Sequence, residues 1–308
     1  MRKTVVITGA NGFIGSNLTR YMATKGYTVY AVILPDSPTR KRIEELPFVH
    51  IIEGDLKEYD RLAERIPKGS EALLHFAWSG VAPECRASLE YQRVNLDLAL
   101  DAVRLAAAVK TKRFIFPGST MEYADCGEKI GRSAFPSPHN AYGATKIAAR
   151  YFCETLCKQL DIPYRYVVIA GIYAADRTDN NVICYTITKL LNREKPSLTK
   201  LEQLWDYVYI DDVVDALYLV VDKGRGGAFY TIGHGDNWAL SNYIYMIRDI
   251  IDPELPLGIG DIGYGSEKIP TSCVDLQELY ADTGFVPKVP FETGIKKVIE
   301  TMREKVGG

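Results

Sequence analysis

Short apolar runs alternate with longer segments of helical spacing through the first half of the chain. Strand-like runs fall at Lys3–Thr8, Thr28–Ile33, His50–Glu53, Ala72–Phe76, Arg113–Phe116 and Arg165–Ala170. Between them, residues 17–25, 56–65, 89–109 and 144–160 carry apolar side chains at helical spacing. Strands alternating with helices predict an α/β chain: a parallel sheet covered on both faces and built from right-handed crossovers. After Gly171 the alternation loosens. The loops become rich in Asp, Asn, Gly and Pro, and residues 239–251 and 290–305 read as separate helices, which predicts a second, smaller lobe.

The 308 residues suggest two folding units at roughly 150 residues each. With 47% hydrophobic and 25% charged residues, the chain has an ordinary globular composition. Its formal charge of −2 supplies no basic field, so no nucleic-acid partner is expected. No apolar run approaches the roughly 18 residues of a spanning helix, so no membrane partner is expected either. Met1-Arg2-Lys3 runs straight into Thr4-Val5-Val6-Ile7, too short for a secretory leader. The six cysteines (Cys85, Cys126, Cys153, Cys157, Cys184 and Cys273) are scattered without a CxxC. Cys153 and Cys157 lie four apart on a helical segment but lack a His/Cys partner pair. Reduced thiols, no metal and a cytoplasmic location are therefore expected.

Thr8-Gly9-Ala10-Asn11-Gly12-Phe13-Ile14-Gly15 joins the first strand to the first helix. Glycines 9, 12 and 15 allow a tight turn, backbone approach to a pyrophosphate and close helix–strand packing. The helix start then offers unpaired N–H groups to the phosphates. Glycines also serve ordinary turns; the strand–turn–helix context makes this one a dinucleotide site. Gly9, Asn11, Gly12, Phe13, Ile14 and Gly15 are the expected contacts.

This GxxGxxG spacing resembles the extended short-chain dehydrogenase/reductase family of nucleotide-sugar epimerases, dehydratases and ketoreductases, and the resemblance covers nearly the whole chain. It implies a Rossmann-type doubly wound parallel sheet in a dinucleotide-binding domain at 1–171, to which the chain returns around 210–236. It also implies a smaller C-terminal substrate-binding lobe from 172–209 and 237–308. Gly54-Asp55-Leu56 resembles the family's turn after the third strand, whose Asp reads the adenine amino group, so Asp55 and Leu56 are implied cofactor contacts. His75-Phe76-Ala77-Trp78 stands where the family has His-Leu-Ala-Ala, which places Phe76, Ala77 and Trp78 beside the cofactor. His75 itself reads as a satisfied strand-end histidine. Asn95 matches the Asn that opens the family's long fourth helix.

Tyr142-Gly143-Ala144-Thr145-Lys146 puts Tyr and Lys four apart, on one face at a helix start. A free phenol titrates near 10, too high for efficient proton exchange at neutral pH. A nearby ammonium and a cationic nicotinamide would lower it, so Tyr142 can exchange a proton while hydride moves. Such a pair also arises on surface helices. Preceded by Pro138-His139-Asn140-Ala141, it resembles the family's Pro-x-Asn-x-Tyr-Gly-x-(Ser/Thr)-Lys motif, which implies that Lys146 holds the cofactor ribose. Counting back from Tyr123, Ser119 occupies the family's catalytic Ser/Thr position, with Thr120 the weaker alternative. Water-eliminating members carry Asp-Glu directly after that Ser/Thr. Here Thr120 and Met121 stand there, which argues against dehydration. The pattern Gly-Ser-x-x-Glu-Tyr resembles sugar 4-ketoreductases and some 4-epimerases, and it puts Met121 and Glu122 at the substrate.

Trp205-Asp206-Tyr207-Val208-Tyr209-Ile210-Asp211-Asp212-Val213 resembles the signature Arg-Asp-Tyr-Val-x-Val-Asp-Asp-Val, with Trp205 replacing an Arg that grips substrate phosphate. Lobe packing and stacking on a base or sugar are both open to Trp205. Asn181-Val182-Ile183 matches the Asn-Leu-Ile run whose Asn and following amide meet the diphosphate. Gly171-Ile172-Tyr173-Ala174-Ala175 departs from the family's Asn-Val-Tyr-Gly-Pro, and Gly284-Phe285-x-Pro287 resembles its C-terminal Gly-(Trp/Phe)-x-Pro.

An NAD-specific site places an acid at the end of the second strand, but Ile33, Leu34 and Pro35 occupy that stretch. Asp36 lies just beyond the proline. Ser37 and Arg40 can meet a 2′-phosphate, so NADP is expected over NAD, although Arg40-Lys41-Arg42 also reads as a solvated face. Leu96, Leu98, Leu100, Val103 and Leu105 make the fourth helix apolar around most of its circumference, and a homodimer is expected. The leading expectation is a 4-ketoreductase of a nucleoside-diphosphate 4-keto-6-deoxyhexose. The alternatives are a nucleotide-sugar 4-epimerase, a reductase of a non-nucleotide carbonyl, and a non-catalytic cofactor sensor.

Overall fold

A computed structural model describes residues 2–124, 129–177, 181–264 and 273–306. Met1 and Cys126 lie outside the described residues. Six strands arise in the order expected: β1 (Lys3–Thr8), β2 (Tyr27–Ile33), β3 (Val49–Glu53), β4 (Ala72–His75), β5 (Phe114–Ser119) and β6 (Tyr164–Ile169). A seventh, Ala228–Ile232, completes a parallel sheet in the order Ala228–Ile232, β6, β5, β4, β1, β2, β3. The order reverses between β1 and β4, which opens a crevice beyond their carboxyl ends. Sheets covered on both faces need strands without polar alternation. Val5, Val6 and Ile7 of β1 and Leu73 and Leu74 of β4 are accordingly fully buried.

Ten helices occur among the described residues: α1 (Phe13–Thr24), α2 (Tyr59–Glu64), α3 (Pro83–Arg86), α4 (Leu89–Ala108), α5 (Ala141–Gln159), α6 (Val182–Leu191), α7 (Ile210–Lys223), α8 (Leu240–Ile251), α9 (Gln277–Thr283) and α10 (Phe291–Val306). α4 packs against α2 and α5, α1 against α7, and α6 with α8 and α10. None of these helices is long and apolar enough to cross a membrane.

β5 runs three residues past its expected end, through Pro117. The β4–β5 ladder stops at Ile115, so the missing N–H of Pro117 lies beyond the end of β4 and is tolerated. Two helices, α6 and α7, were not legible as separate elements in the loosened half of the sequence. Three small ladders join the segments there: Gly171–Tyr173 with Tyr207–Tyr209, Leu204–Trp205 with Trp238–Ala239, and Ser197–Leu198 with Gly258–Ile259. Cys153 and Cys157 sit fully buried one turn apart on α5, and burial pushes both thiols up. Val103 and Leu105 are spent inside the chain, whereas Leu96, Leu98 and Leu100 remain partly exposed.

Candidate active site

The glycine turn folds as its residue types require. Gly9 has φ +65°, and a Cβ there would come within 2.6 Å of the Ala77 amide nitrogen on the neighbouring β4 loop. A Cβ on Gly15 would collide with the Gly9 carbonyl oxygen. Gly12 is the N-cap of α1, which has neither a side-chain cap nor an acid in its first turn. Phe13 and Ile14 open the helix, so their amides face an anion-compatible end. A side chain at Gly9 or Gly15 would strike backbone, so the turn closes only with glycine there, and a phosphate-bearing dinucleotide fits the open helix end.

Asn11 Nδ2 donates to Ser37 Oγ at 2.6 Å, tying the turn after β1 to the loop after β2. Arg40, expected to be available for a 2′-phosphate, forms an ion pair with Glu53 at the end of β3 and lies 3.5 Å from Glu44. Asp36 is exposed, with φ 54°. Asp55 accepts the Lys57 N–H at 3.0 Å and caps the turn Leu56–Glu58. The Leu56 side chain is buried, which leaves its main chain as the part able to meet a ligand.

At the end of β4, Phe76 and Ala77 border the glycine turn, and Trp78 lies against Phe116 and Tyr142. Asn95 holds the following loop by accepting the Ser79 N–H at 2.8 Å and donating to its carbonyl at 3.0 Å. Trp78 Nε1 donates to Gln92 Oε1 at 3.0 Å. His75 is bonded through Nδ1 to Thr8 Oγ1 at 2.8 Å, while its buried Nε2 has no partner among the described residues. Burial lowers its pKa to about 3, so the ring is neutral. The expectation of a fully satisfied histidine thus holds for one nitrogen only.

Ser119 ends β5 and caps the next turn, where its Oγ accepts the Met121 N–H at 3.2 Å. α5 starts at an Asn140 cap that accepts the Gly143 N–H at 2.9 Å. Gly143 leaves no Cβ to strike the Met121 carbonyl, so the helix start reaches the β5 turn. This sets the Tyr142 phenol near Ser119, whose hydroxyl acts to lower its pKa. Lys146, nearly buried one turn on, donates to the Pro117 carbonyl at 3.1 Å. Its Nζ lies 5.9 Å from the Tyr142 ring centre.

Two expectations need correction. Burial pushes the Tyr142 phenol up to about 12 and Lys146 does not offset it, whereas the sequence expected Lys146 together with a cationic nicotinamide to lower it. The ammonium is engaged elsewhere, and burial lowers Lys146 itself to about 7. Glu122, placed at the substrate by the sequence, is fully buried, with Oε1 on the Ser119 N–H and Oε2 on the Tyr166 hydroxyl. No oxygen is left for substrate. Met121 stays partly exposed, whereas Thr120 is buried.

Asn181, Val182 and Trp205 converge on one cavity of about 540 Å³. Asn181 caps α6, accepting the Cys184 N–H at 3.0 Å. Trp205 tilts against Tyr207 at 6.0 Å, and its buried Nε1 has no partner among the described residues. Tyr185, Gln203, Leu240 and Ile262 also line this cavity. They belong to no motif, so nothing in the sequence marked them. Asp206, beside Trp205, points away from catalysis: it accepts the His234 and Gly235 N–H groups at 2.8 and 3.0 Å.

The sequence model of the NAD dependent epimerase/dehydratase family matches residues 5–233. The chain is similar to GDP-6-deoxy-D-mannose reductase of Pseudomonas aeruginosa, 23% identical over 327 residues with 99% of each chain covered. It is also similar to CDP-abequose synthase of Salmonella muenchen, 24% identical over 320 residues with 99% of each covered. UDP-glucose 4-epimerase from Thermotoga maritima, solved with UDP-glucose, superposes with a TM-score of 0.84 at 22% identity, covering 98% of this chain and 99% of that one. A Bordetella bronchiseptica enzyme in complex with NAD and UDP gives 0.84 at 18%, covering 100% and 96%. At these identities the superpositions establish the fold.

Proposed function

The chain belongs to the NAD dependent epimerase/dehydratase family, and we propose that it reduces C4 of a nucleoside-diphosphate 4-keto-6-deoxyhexose. The observation that carries this reading is the convergence of Ser119, at the end of β5, with Tyr142 and Lys146 at the start of α5, where Gly143 lets the helix approach the β5 turn and the Lys146 Nζ lies 5.9 Å from the Tyr142 ring centre. The reduced nicotinamide cofactor supplies a hydride to C4. Tyr142 gives its proton to the C4 oxygen as that oxygen becomes a hydroxyl, and Ser119 holds the same oxygen by a hydrogen bond. A phenol kept protonated by burial is in the state that proton donation requires. Lys146 then steadies the phenolate and binds the cofactor ribose.

Reduction is favoured over dehydration because Thr120 and Met121 carry no carboxyl group and Glu122 is committed beneath them. The sugar's nucleotide occupies the cavity of Asn181, Val182 and Trp205, in a substrate lobe made of 172–209 and 237–308. NADP is the favoured cofactor, with Ser37 and Arg40 as contacts. The enzyme works as a cytoplasmic homodimer through the exposed Leu89, Tyr91 and Val94 of α4 and Tyr151 and Phe152 of α5.

The test is incubation with nucleoside-diphosphate 4-keto-6-deoxyhexoses and reduced cofactor. Consumption of one cofactor per sugar supports the reading. Purified protein that retains oxidised cofactor and interconverts 4-epimers without net consumption favours the 4-epimerase instead, in which the hydride returns to the same sugar. Mass spectrometry should also show no loss of water from nucleotide-linked glucose with oxidised cofactor.

A further inference from the structure

Beneath the proposed reaction centre lies a carboxylate that the chemistry leaves unused. Glu122 is fully buried, accepting the Ser119 N–H at 2.6 Å on one oxygen and the Tyr166 hydroxyl of β6 on the other. Gly118 makes the room: a Cβ there would come within 2.8 Å of Glu122 Oε1 and collide with the Tyr166 hydroxyl. Charged and titratable groups face Glu122 from each neighbouring element: Lys146, Arg150 and Tyr142 of α5, Tyr166 of β6, and the adjacent Tyr123. Arg150 is already occupied, donating to Tyr123 Oη at 3.1 Å and lying 4.7 Å from the Tyr166 ring centre. Lys146 donates to the Pro117 carbonyl at 3.1 Å and Glu122 accepts the Ser119 N–H two residues on, so the two buried groups meet the same short stretch of β5, and Glu122 is the carboxylate whose charge acts on the amine.

We propose that Glu122 is a positioning residue that fixes the Ser119 backbone beside the start of α5, and whose negative charge holds the buried Lys146 as an ammonium. The proposal rests on the reading of Ser119, Tyr142 and Lys146 as the reacting set. A carboxylate and an amine taken out of water each lose their charge unless they supply one another with a counter-ion. Burial drives Glu122 up and Lys146 down, and the attraction between them opposes both shifts. A turn cap alone would need only an acceptor for the Ser119 N–H. The charge is the part that acts on Lys146.

Glu122→Gln separates the two roles, because the amide keeps the volume and the acceptor but removes the charge. In protein labelled with 15N-lysine, the Nζ signal of residue 146 is identified by its loss in Lys146→Met, and its titration is followed with no substrate present. In folded Glu122→Gln its midpoint should fall by about one pH unit. With a turned-over sugar, kcat should fall at least about tenfold while KM stays within about threefold. An unchanged Lys146 midpoint in the folded variant overturns the proposal. If Gln prevents folding, Tyr166→Phe removes the donor that favours ionised Glu122, so the midpoint should move in the same direction, and no movement overturns the proposal equally. A shifted midpoint together with undiminished turnover in Tyr142→Phe would leave the Glu122–Lys146 link standing and overturn the reading of the site instead.

Discussion

The Lys146 ammonium lies 3.7 Å from the centre of the Trp78 ring and donates to the Pro117 carbonyl, not to the Tyr142 phenol. An aromatic face and a carbonyl dipole both favour the charged amine, against the burial that lowers its pKa. Burial keeps the Tyr142 phenol protonated, the state its proposed role as proton donor requires.

Tyr142→Phe tests that donor. Only the hydroxyl is lost, so the fold and cofactor affinity should stay near wild type while turnover falls at least ~10²-fold. Near-normal turnover in a folded variant would show that another group gives the proton.

The proposed NADP preference turns on Arg40, whose guanidinium must be shared with or released from Glu53 to grip a 2′-phosphate. Fluorescence titration should show tighter binding of NADP than of NAD. Arg40→Ala should weaken NADP by about tenfold and leave NAD unaffected, in line with the loss of one charge-assisted contact. Tighter NAD binding in the wild type would reverse the assignment.

Asp206 links stability to pH. Burial raises its pKa from 3.8 to about 6, against the two N–H groups that favour the carboxylate. Between these values the unfolded chain has released a proton that the folded chain still holds, so stability should fall as pH rises from about 4 to about 6. The loss is on the order of 2–3 kcal/mol. Urea melts across this window should show that slope, and Asp206→Asn should remove it.

The proposed dimer rests on apolar surface that the fold does not cover. Leu89 is 71% exposed and Phe152 54%, on helices that pack against each other within one chain. Light scattering should give twice the chain mass at micromolar concentration, and Phe152→Glu should yield a monomer with intact secondary structure. A monomeric wild type would refute the assembly.

Much of this could be read from the chain alone. Apolar runs bounded by turns located β1 to β6 because a strand buried on both faces leaves a local, continuous signature. The glycine turn was legible for a similar reason: Gly9 and Gly15 answer contacts made a few residues away or across one strand, and no other residue type fits. Tyr142 and Lys146 share a helix face by spacing alone. The seventh strand, α6 and α7 were harder, because short elements between irregular loops carry too few periods to separate from background.

What the sequence left undecided concerns groups that meet from distant parts of the chain. Glu122 reads like any polar residue beside a site; only the approach of Tyr166, 44 residues on, across Gly118 turns it into a buried carboxylate. The basic run at Arg40 promised free positive charge, until the register of β2 and β3 brought Glu53 against it. Spacing set Lys146 one turn from Tyr142, whereas the packing of Trp78 and Pro117 determined where its charge would rest. Local patterns specify elements and turns because backbone geometry is local. Protonation states and ion pairs depend on burial and on partners that only the assembled sheet brings within reach.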